Sequence, residues 1–328
     1  MDIYIDKANL KSYVSSSANA AFDDCNRMLR NKFNIHFTFD KNEIEQDAEI
    51  MEWMKIMTTG VQGKENEWNA EHPNRPLKSN SHISFNREQL SAVYLLSDDK
   101  IQQLMNYGIL LYGKIGSEID ILSTLMLDTD YKFVKQFQIK ELSNWCMFRN
   151  YTSPCSDIIL VDQYLFVYED IYDFNVYSLI CELCSHAQQA KVNIVVLTLP
   201  SCFDKRTKRT FTPNWNNIRN KIKSKVKSII GIEPNVTFVL SSNLAEHDRT
   251  IFTNYKCIES GDSFHYFDST WNVISKGRHV EIFSLADNEY FKNYMEFVKD
   301  MEKIITATNN INRDNIIGDK KCNYLHFL

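Results

Sequence analysis

Apolar and polar positions alternate from the start of the chain. Asp2-Ile3-Tyr4-Ile5-Asp6 predicts a strand, and the recurrence of Leu10, Tyr13, Val14, Ala21, Met28 and Leu29 predicts a helix over 9–30. Strict alternation returns at Phe33, Ile35, Phe37 and Phe39, so the opening reads strand, helix, strand. Residues 42–57 predict another helix, 58–80 a long polar loop, 86–126 mostly helix interrupted near Gly108–Gly116, and 131–150 strand. From 156 the apolar runs become continuous. Ile158–Val161, Val192–Leu197 and Val236–Leu240 predict buried strands, 175–190, 214–230 and 289–307 predict helices, and 250–259 and 264–274 are strand-rich. Continuous apolar strands separated by helices are buried on both faces, which predicts an α/β fold with a mostly parallel sheet. The expected layout is a smaller α/β domain over 1–150 and a second over 151–328, joined at Tyr151-Thr152-Ser153-Pro154.

Composition changes little of this. The 328 residues are 44% hydrophobic and 24% charged, enough apolar mass for two cores. No stretch reaches the roughly 18 consecutive apolar residues of a membrane span. The N-terminus lacks the basic and apolar regions of a signal peptide. Eight cysteines without framework spacing suit a reducing compartment, so a cytoplasmic location is expected.

Charge is more informative. The net charge is −5, yet residues 205–227 carry nine cations: Lys205, Arg206, Lys208, Arg209, Arg219, Lys221, Lys223, Lys225 and Lys227. Asp204 is the sole acid near them in sequence, and Phe211 and Trp215 interleave. Such a run is commonly a solvated helix face. Here its density points to a polyanion, with an aromatic ring available to stack on an unpaired base. Lys276 and Arg278 extend the same surface in this reading.

The chemistry-bearing segment is Glu246-His247-Asp248-Arg249-Thr250-Ile251-Phe252-Thr253-Asn254, followed by Gly261-Asp262-Ser263-Phe264-His265-Tyr266-Phe267. It resembles the phosphodiesterase motif of the phospholipase-D-like superfamily: histidine, any residue, lysine, four residues, aspartate, then six residues before a glycine-serine pair. The spacing is kept with His247, Arg249, Asn254 and Gly261-Asp262, while the chemistry is kept only at the histidine. A nearer resemblance is to the phospholipase-D-like domain at the C-terminus of proteins with a microtubule-interacting-and-trafficking (MIT) domain. There a His-Asp-Arg precedes a Gly-rich segment ending in Asp-Tyr-Phe, and Asp162-Gln163-Tyr164 stands where Asp-Pro-Tyr is often found. The resemblance implies a mixed sheet with helices on both faces, covers about 150–290 and leaves the N-terminal domain unnamed.

The resemblance implies His247 as nucleophile, Arg249 as the phosphate-binding cation in place of lysine, and Asn254 in the place of an orienting carboxylate. A single motif implies a site completed across a homodimer. Nucleic acid is the expected partner, with backbone binding or cleavage as the function and a bacterial antiviral-defence setting implied by resemblance. The alternative is an inactive adaptor that binds acidic phospholipid headgroups and protein partners, the latter through the N-terminal domain. No cofactor or metal is expected. Cys181, Cys184 and His186 lack a second pair at zinc-finger spacing. Asp2 and Asp6 resemble the acidic start of metal-dependent nuclease folds, but sequence does not place their co-ligands. His265 and His279 are secondary candidates for acid–base work, more simply read as core or surface residues.

Overall fold

The computed structural model describes residues 1–58, 66–68, 90–97, 110–128, 132–187, 191–244 and 249–327. The fold class is α/β. The chain divides into two compact units, Met1–Phe133 with Ser284–Lys292, and Val134–Phe283 with Asn293–Leu328. The strand at 134–138, expected ahead of a junction at 151, lies in the sheet of the second unit.

The first unit is built on five parallel strands, β1 (Asp2–Ile5), β2 (Asn34–Phe37), β3 (Asn66–Trp68), β4 (Val93–Leu95) and β5 (Leu111–Gly113). Their order is β3-β2-β1-β4-β5. β1 therefore has β2 on one side and β4 on the other, and the chain reverses its direction of travel across the sheet there. Tyr4 of β1 stacks between His36 at 4.6 Å and Tyr94 at 4.9 Å, a ring ladder across three strands.

The helix expected over 9–30 is two helices, α1 (Lys7–Ser15) and α2 (Phe22–Lys32). Ser15-Ser16-Ser17 breaks the pattern: Ser16 Oγ donates back to the Ser12 carbonyl, and Asn19 Oδ1 accepts from the Ala21 amide. α3 (Ala48–Thr58) follows a 3-10 turn. The region expected to be helical over 86–126 holds β4, β5 and the short α4 (Glu118–Ser123). Val93-Tyr94-Leu95 is a continuous apolar run, which periodicity does not separate from a buried helix.

The second unit has an eight-stranded sheet. Its strands are β6 (Val134–Gln138), β7 (Asp157–Val161), β8 (Asn193–Thr198), β11 (Asn235–Leu240), β12 (Thr250–Thr253), β13 (Lys256–Ser260), β14 (His279–Ser284) and β15 (Ile316–Gly318). The hairpin β9 (Cys202–Asp204) and β10 (Arg209–Phe211) stands apart from it. The order is β15-β11-β8-β7-β12-β13-β14-β6. β11, β8 and β7 run parallel, and β15, β12 and the β14–β6 pair are antiparallel to their neighbours. The sheet is thus mixed, as the motif resemblance implied, where the apolar runs alone predicted a mostly parallel one. Every residue of β7 and β8 is buried, so both faces of the sheet centre are covered. The helices are α5 (Val176–Leu183), α6 (Trp215–Ile230) and α7 (Asn288–Ile311). α6 buries Trp215, Ile218, Ile222, Val226 and Ile230, one face of a helix, and stops at Gly231, whose φ of +74° is the left-handed cap. The expected strand over 264–274 is a loop pinned by a bridge between Phe267 and Val273.

Two features hold the ends of β7. At its start the Asp157 carboxylate, wholly buried, accepts from Ser156 Oγ, Asn193 Nδ2, the Asn323 amide and Asn323 Nδ2, at 2.6–2.9 Å. β15 lies beside these contacts and seals the outer edge of β11. Gly318 permits that approach: its φ is +117°, and a Cβ there would sit 2.2 Å from the Val236 carbonyl oxygen. At the other end of β7 is the candidate site.

Candidate nucleic-acid interface

Asp162 follows the last residue of β7, where the parallel strands give way to antiparallel β12. In open α/β sheets the crevice outside the carboxyl ends of strands at such a reversal is the usual ligand position. The Asp162 side chain is fully buried. Its Oδ1 accepts from the Tyr164 amide at 2.8 Å, and its Oδ2 from Ser263 Oγ at 2.7 Å and the Phe264 amide at 2.8 Å. Burial pushes its pKa up, and these donors together with the nearby His265 pull it back.

Ser263 passes the contact on. Its Oγ lies 2.7 Å from Nδ1 of His265, whose ring meets the edge of Tyr168 at 5.4 Å. His265 is partly exposed. Burial lowers its pKa below the ordinary value of 6.5, Asp162 and Asp262 work upward against this, and Arg249 and Lys205 push further down. Two acids and two cations therefore act in opposite directions on one imidazole. The segment carrying it is anchored by Trp145, which stacks on Tyr266 at 4.9 Å and packs against Phe264 and Phe267. Asp262 is held by Ser275 Oγ at 2.7 Å and the Ser263 and Lys276 amides at 2.9 and 3.2 Å.

Arg249 leads into β12. Its Nη1 donates to the Gly261 carbonyl at 3.0 Å, while its Nε–H is buried with no partner among the described residues. A buried N–H in that state calls for an acceptor. Asn254, five residues on, is at the opposite end of β12. Its Oδ1 accepts from the Ser156 and Asp157 amides at 2.9 and 3.2 Å, and its Nδ2 donates to Ser156 Oγ and Tyr324 Oη, both at 3.3 Å. Wholly buried, it braces the start of β7 and stands away from Arg249. His247 and Asp248 lie outside the described residues.

The basic run splits in two. Lys205, Lys208 and Arg209 are exposed on the β9–β10 hairpin without an ion-pair partner among the described residues, as are Lys276 and Arg278 on the loop before β14. Arg206 forms a bidentate pair with Asp170 at 2.6 and 3.0 Å and lies 4.0 Å over the Tyr168 ring. On α6 the cations are mostly matched by acids remote in sequence. Lys221 and Lys225 each pair with Asp173 at 2.9 Å. Arg219 and Lys223 pair with Asp319 at 2.6 and 2.9 Å, and Lys223 with Glu233 at 3.3 Å. Trp215 is core, packed on Phe166 and Phe238, so it offers no ring to a base. Phe203 on the hairpin is 51% exposed and does offer one.

The weaker candidates resolve simply. Asp2 holds His36 at 3.4 Å and Asn34 at 3.1 Å at the start of β1. Asp6, at the other end, caps α1. Cys184 is buried, and the His186 ring contacts the Arg149 carbonyl at 2.8 Å. Among the described residues no three His, Cys, Asp or Glu side chains gather as a metal site. His279 begins β14.

The Asp162–Ser263–His265 chain was missed from sequence as a unit. Two signals pointed to it: an aspartate closing a continuous apolar strand, and a Ser-x-His placed just after the Gly-Asp that follows Arg249.

No family model and no curated protein matches the chain. Several solved structures share parts of its form, three of them as follows. A phospholipase D family member, Nuc from Salmonella typhimurium, is 12% identical with a TM-score of 0.33, over 57% of this chain and 98% of its own. TrmBL2, an archaeal chromatin protein described with a novel mode of DNA binding, is 14% identical with a TM-score of 0.27, over 56% and 58%. Polyphosphate kinase from Porphyromonas gingivalis is 14% identical with a TM-score of 0.26, over 48% and 24%. Likenesses at this level assign no activity. No helix among the described residues is long and apolar enough to cross a membrane.

Proposed function

We propose that the second unit is a phospholipase-D-like phosphodiester-binding domain, and that its ligand is the backbone of a nucleic acid. The observation that supports this most is the buried Nε–H of Arg249, left without an acceptor among the described residues at the carboxyl end of β7. A phosphate oxygen is the group that completes a guanidinium so placed. Lys208, Arg209, Lys276 and Arg278 add exposed positive charge without an ion-pair partner among the described residues, and Phe203 adds a ring for an unpaired base.

Fluorescence anisotropy with labelled single-stranded RNA and DNA tests the proposal. Binding is expected to weaken with salt, log K falling linearly against log salt. Lys205→Glu with Arg249→Ala is expected to lower affinity at least tenfold, about 1.4 kcal/mol. Retention on acidic liposomes with no affinity for either oligonucleotide would replace this reading with the phospholipid adaptor. Hydrolysis through His247 across a homodimer and a part in antiviral defence are finer forms of the same proposal. A strict monomer by sedimentation with intact cleavage would remove the homodimer form. Unchanged phage plating on cells expressing the protein would remove the defence role.

A further inference from the structure

We propose that His265 is the catalytic base of a ribonuclease activity in which Ser263 and Asp162 are positioning residues and the attacking group is the substrate's own 2′-hydroxyl. The inference rests on the nucleic-acid reading above and deepens it.

The protonation pattern follows from the hydrogen bonds. Asp162 Oδ2 receives the Phe264 amide and Ser263 Oγ, and an ionised carboxylate only accepts. Ser263 therefore gives its hydroxyl hydrogen to Asp162, and its oxygen lone pair faces His265 Nδ1 at 2.7 Å. Nδ1 must then carry the hydrogen, which leaves Nε2 as the basic nitrogen. The arrangement orders an imidazole in one tautomer, as a buried carboxylate does directly in the acyl-transfer triads, here with a hydroxyl interposed.

The charged groups acting on that ring are Asp162 beyond Ser263, Asp262 on its own segment, Arg249 leading into β12 and Lys205 on the hairpin, with the uncharged Tyr168 ring at its edge. Burial, with Arg249 and Lys205, outweighs the two acids and keeps the imidazole neutral at neutral pH, the state a base requires. Arg249 and Lys205 are the cations available to the phosphate that such a base would serve.

Nε2 takes the 2′-hydroxyl proton as O2′ bonds to phosphorus and the P–O5′ bond breaks. The 5′-oxygen takes a proton from solvent, and the imidazolium returns its own to solvent. The products are a 2′,3′-cyclic phosphate and a 5′-hydroxyl. No water is consumed, and no oxidant or further reactant is needed. The reacting hydroxyl is carried by the substrate, so a single ordered base suffices where attack by free water would need a second group to position it.

The test uses the full chain in EDTA with a labelled single-stranded RNA, the same sequence as DNA, and its 2′-O-methyl form. RNA is expected to be cut to cyclic-phosphate ends, with DNA and 2′-O-methyl RNA intact. His265→Gln should lose at least 100-fold in kcat/KM while still binding 2′-O-methyl RNA. Ser263→Ala should lose about tenfold and displace the acidic limb of the pH–rate profile, and Ser263→Thr should restore both. In the wild type that limb is expected to have its midpoint below 6.5, the ordinary histidine value. Equal cleavage of DNA, loss of cleavage in EDTA, or a His265→Gln variant of unchanged rate would overturn the inference. Binding of 2′-O-methyl RNA that depends on Lys205 and Arg249, with no cleavage of RNA, would sink it and leave the binding proposal standing. Absence of any binding would remove the proposal beneath it.

Discussion

The two units carry the same short sentence in different settings. β1 with its flank reads Asp2-Ile3-Tyr4-Ile5-Asp6, and β7 with its flank reads Asp157-Ile158-Ile159-Leu160-Val161-Asp162. Each strand lies inside its sheet, and each is closed by a buried aspartate. Asp6 accepts from the Asn9 amide, Asn9 Nδ2 and the Ser97 amide, at 2.7–3.1 Å. Its donors are two amides and a carboxamide, none of which titrates, so the carboxylate fixes local backbone. Asp162 accepts two amides and one hydroxyl, and that hydroxyl touches an imidazole. A strand-end carboxylate becomes chemically interesting when one of its donors has a second face.

The contrast predicts unequal responses to loss of charge. Asp162→Asn places an amide nitrogen against two committed donors. It is expected to destabilise the second unit by about 3 kcal/mol in urea unfolding, a range set by breaking a buried hydrogen-bonded charge. In the folded variant the His265 resonance should titrate still lower than in the wild type, because the Asp162 charge that holds its pKa up is gone. A His265 pKa that rises instead would break the proposed coupling.

A second difference concerns Lys256 on β13, the sole buried lysine among the described residues. Burial pushes its pKa down to about 7 from 10.5. The folded protein then holds fewer protons than the unfolded chain between those values, so stability rises with pH in that window. Between pH 7 and about 8.5, before cysteines in the unfolded chain ionise, the gain is expected to be about 1.5 kcal/mol. Lys256→Met should flatten that rise in urea titrations.

Asp6→Ala removes a helix cap and is expected to cost about 1 kcal/mol, with nucleic-acid affinity unchanged. A large fall in affinity would show that the first unit shares in binding. The smallest effect belongs to the basic run. Lys221→Ala on α6 should change affinity by less than about twofold, since Asp173 already pairs with it, whereas Lys205→Ala on the hairpin should change it several-fold. Equal effects in anisotropy would erase the distinction between helix and hairpin.

Much of the second unit was legible because its strands are long and continuously apolar. β7, β8 and β11 fall where Ile158–Val161, Val192–Leu197 and Val236–Leu240 placed them. The first unit was harder. β4 and β5 have three residues each, too short for a period to declare itself, and the α1–α2 break depends on side-chain hydroxyls that composition does not weigh. Motif spacing proposed Arg249 and Asn254 together, and a four-residue strand sets them at opposite ends of β7. The basic run looked unopposed because Asp170, Asp173 and Asp319 approach it through the fold from distant positions in sequence. The Ser263 hydroxyl that ties His265 to Asp162 lies 101 positions from that aspartate in the chain, a relation no local pattern encodes.

The bracing of Asp157 carries a consequence for the order in which the protein is made. Two of the four donors to that buried carboxylate come from Asn323, and the strand that seals β11 is Ile316–Gly318. A ribosome therefore releases the centre of the sheet well before the groups that neutralise its polar end and cover its edge. Until residues 316–324 emerge, the nascent second unit carries an under-satisfied buried charge and an open strand edge of the kind that recruits other chains. The native sheet is thus completed only once residues 316–324 have emerged, and chains halted short of residue 316 should be the ones captured by chaperones or found in aggregates.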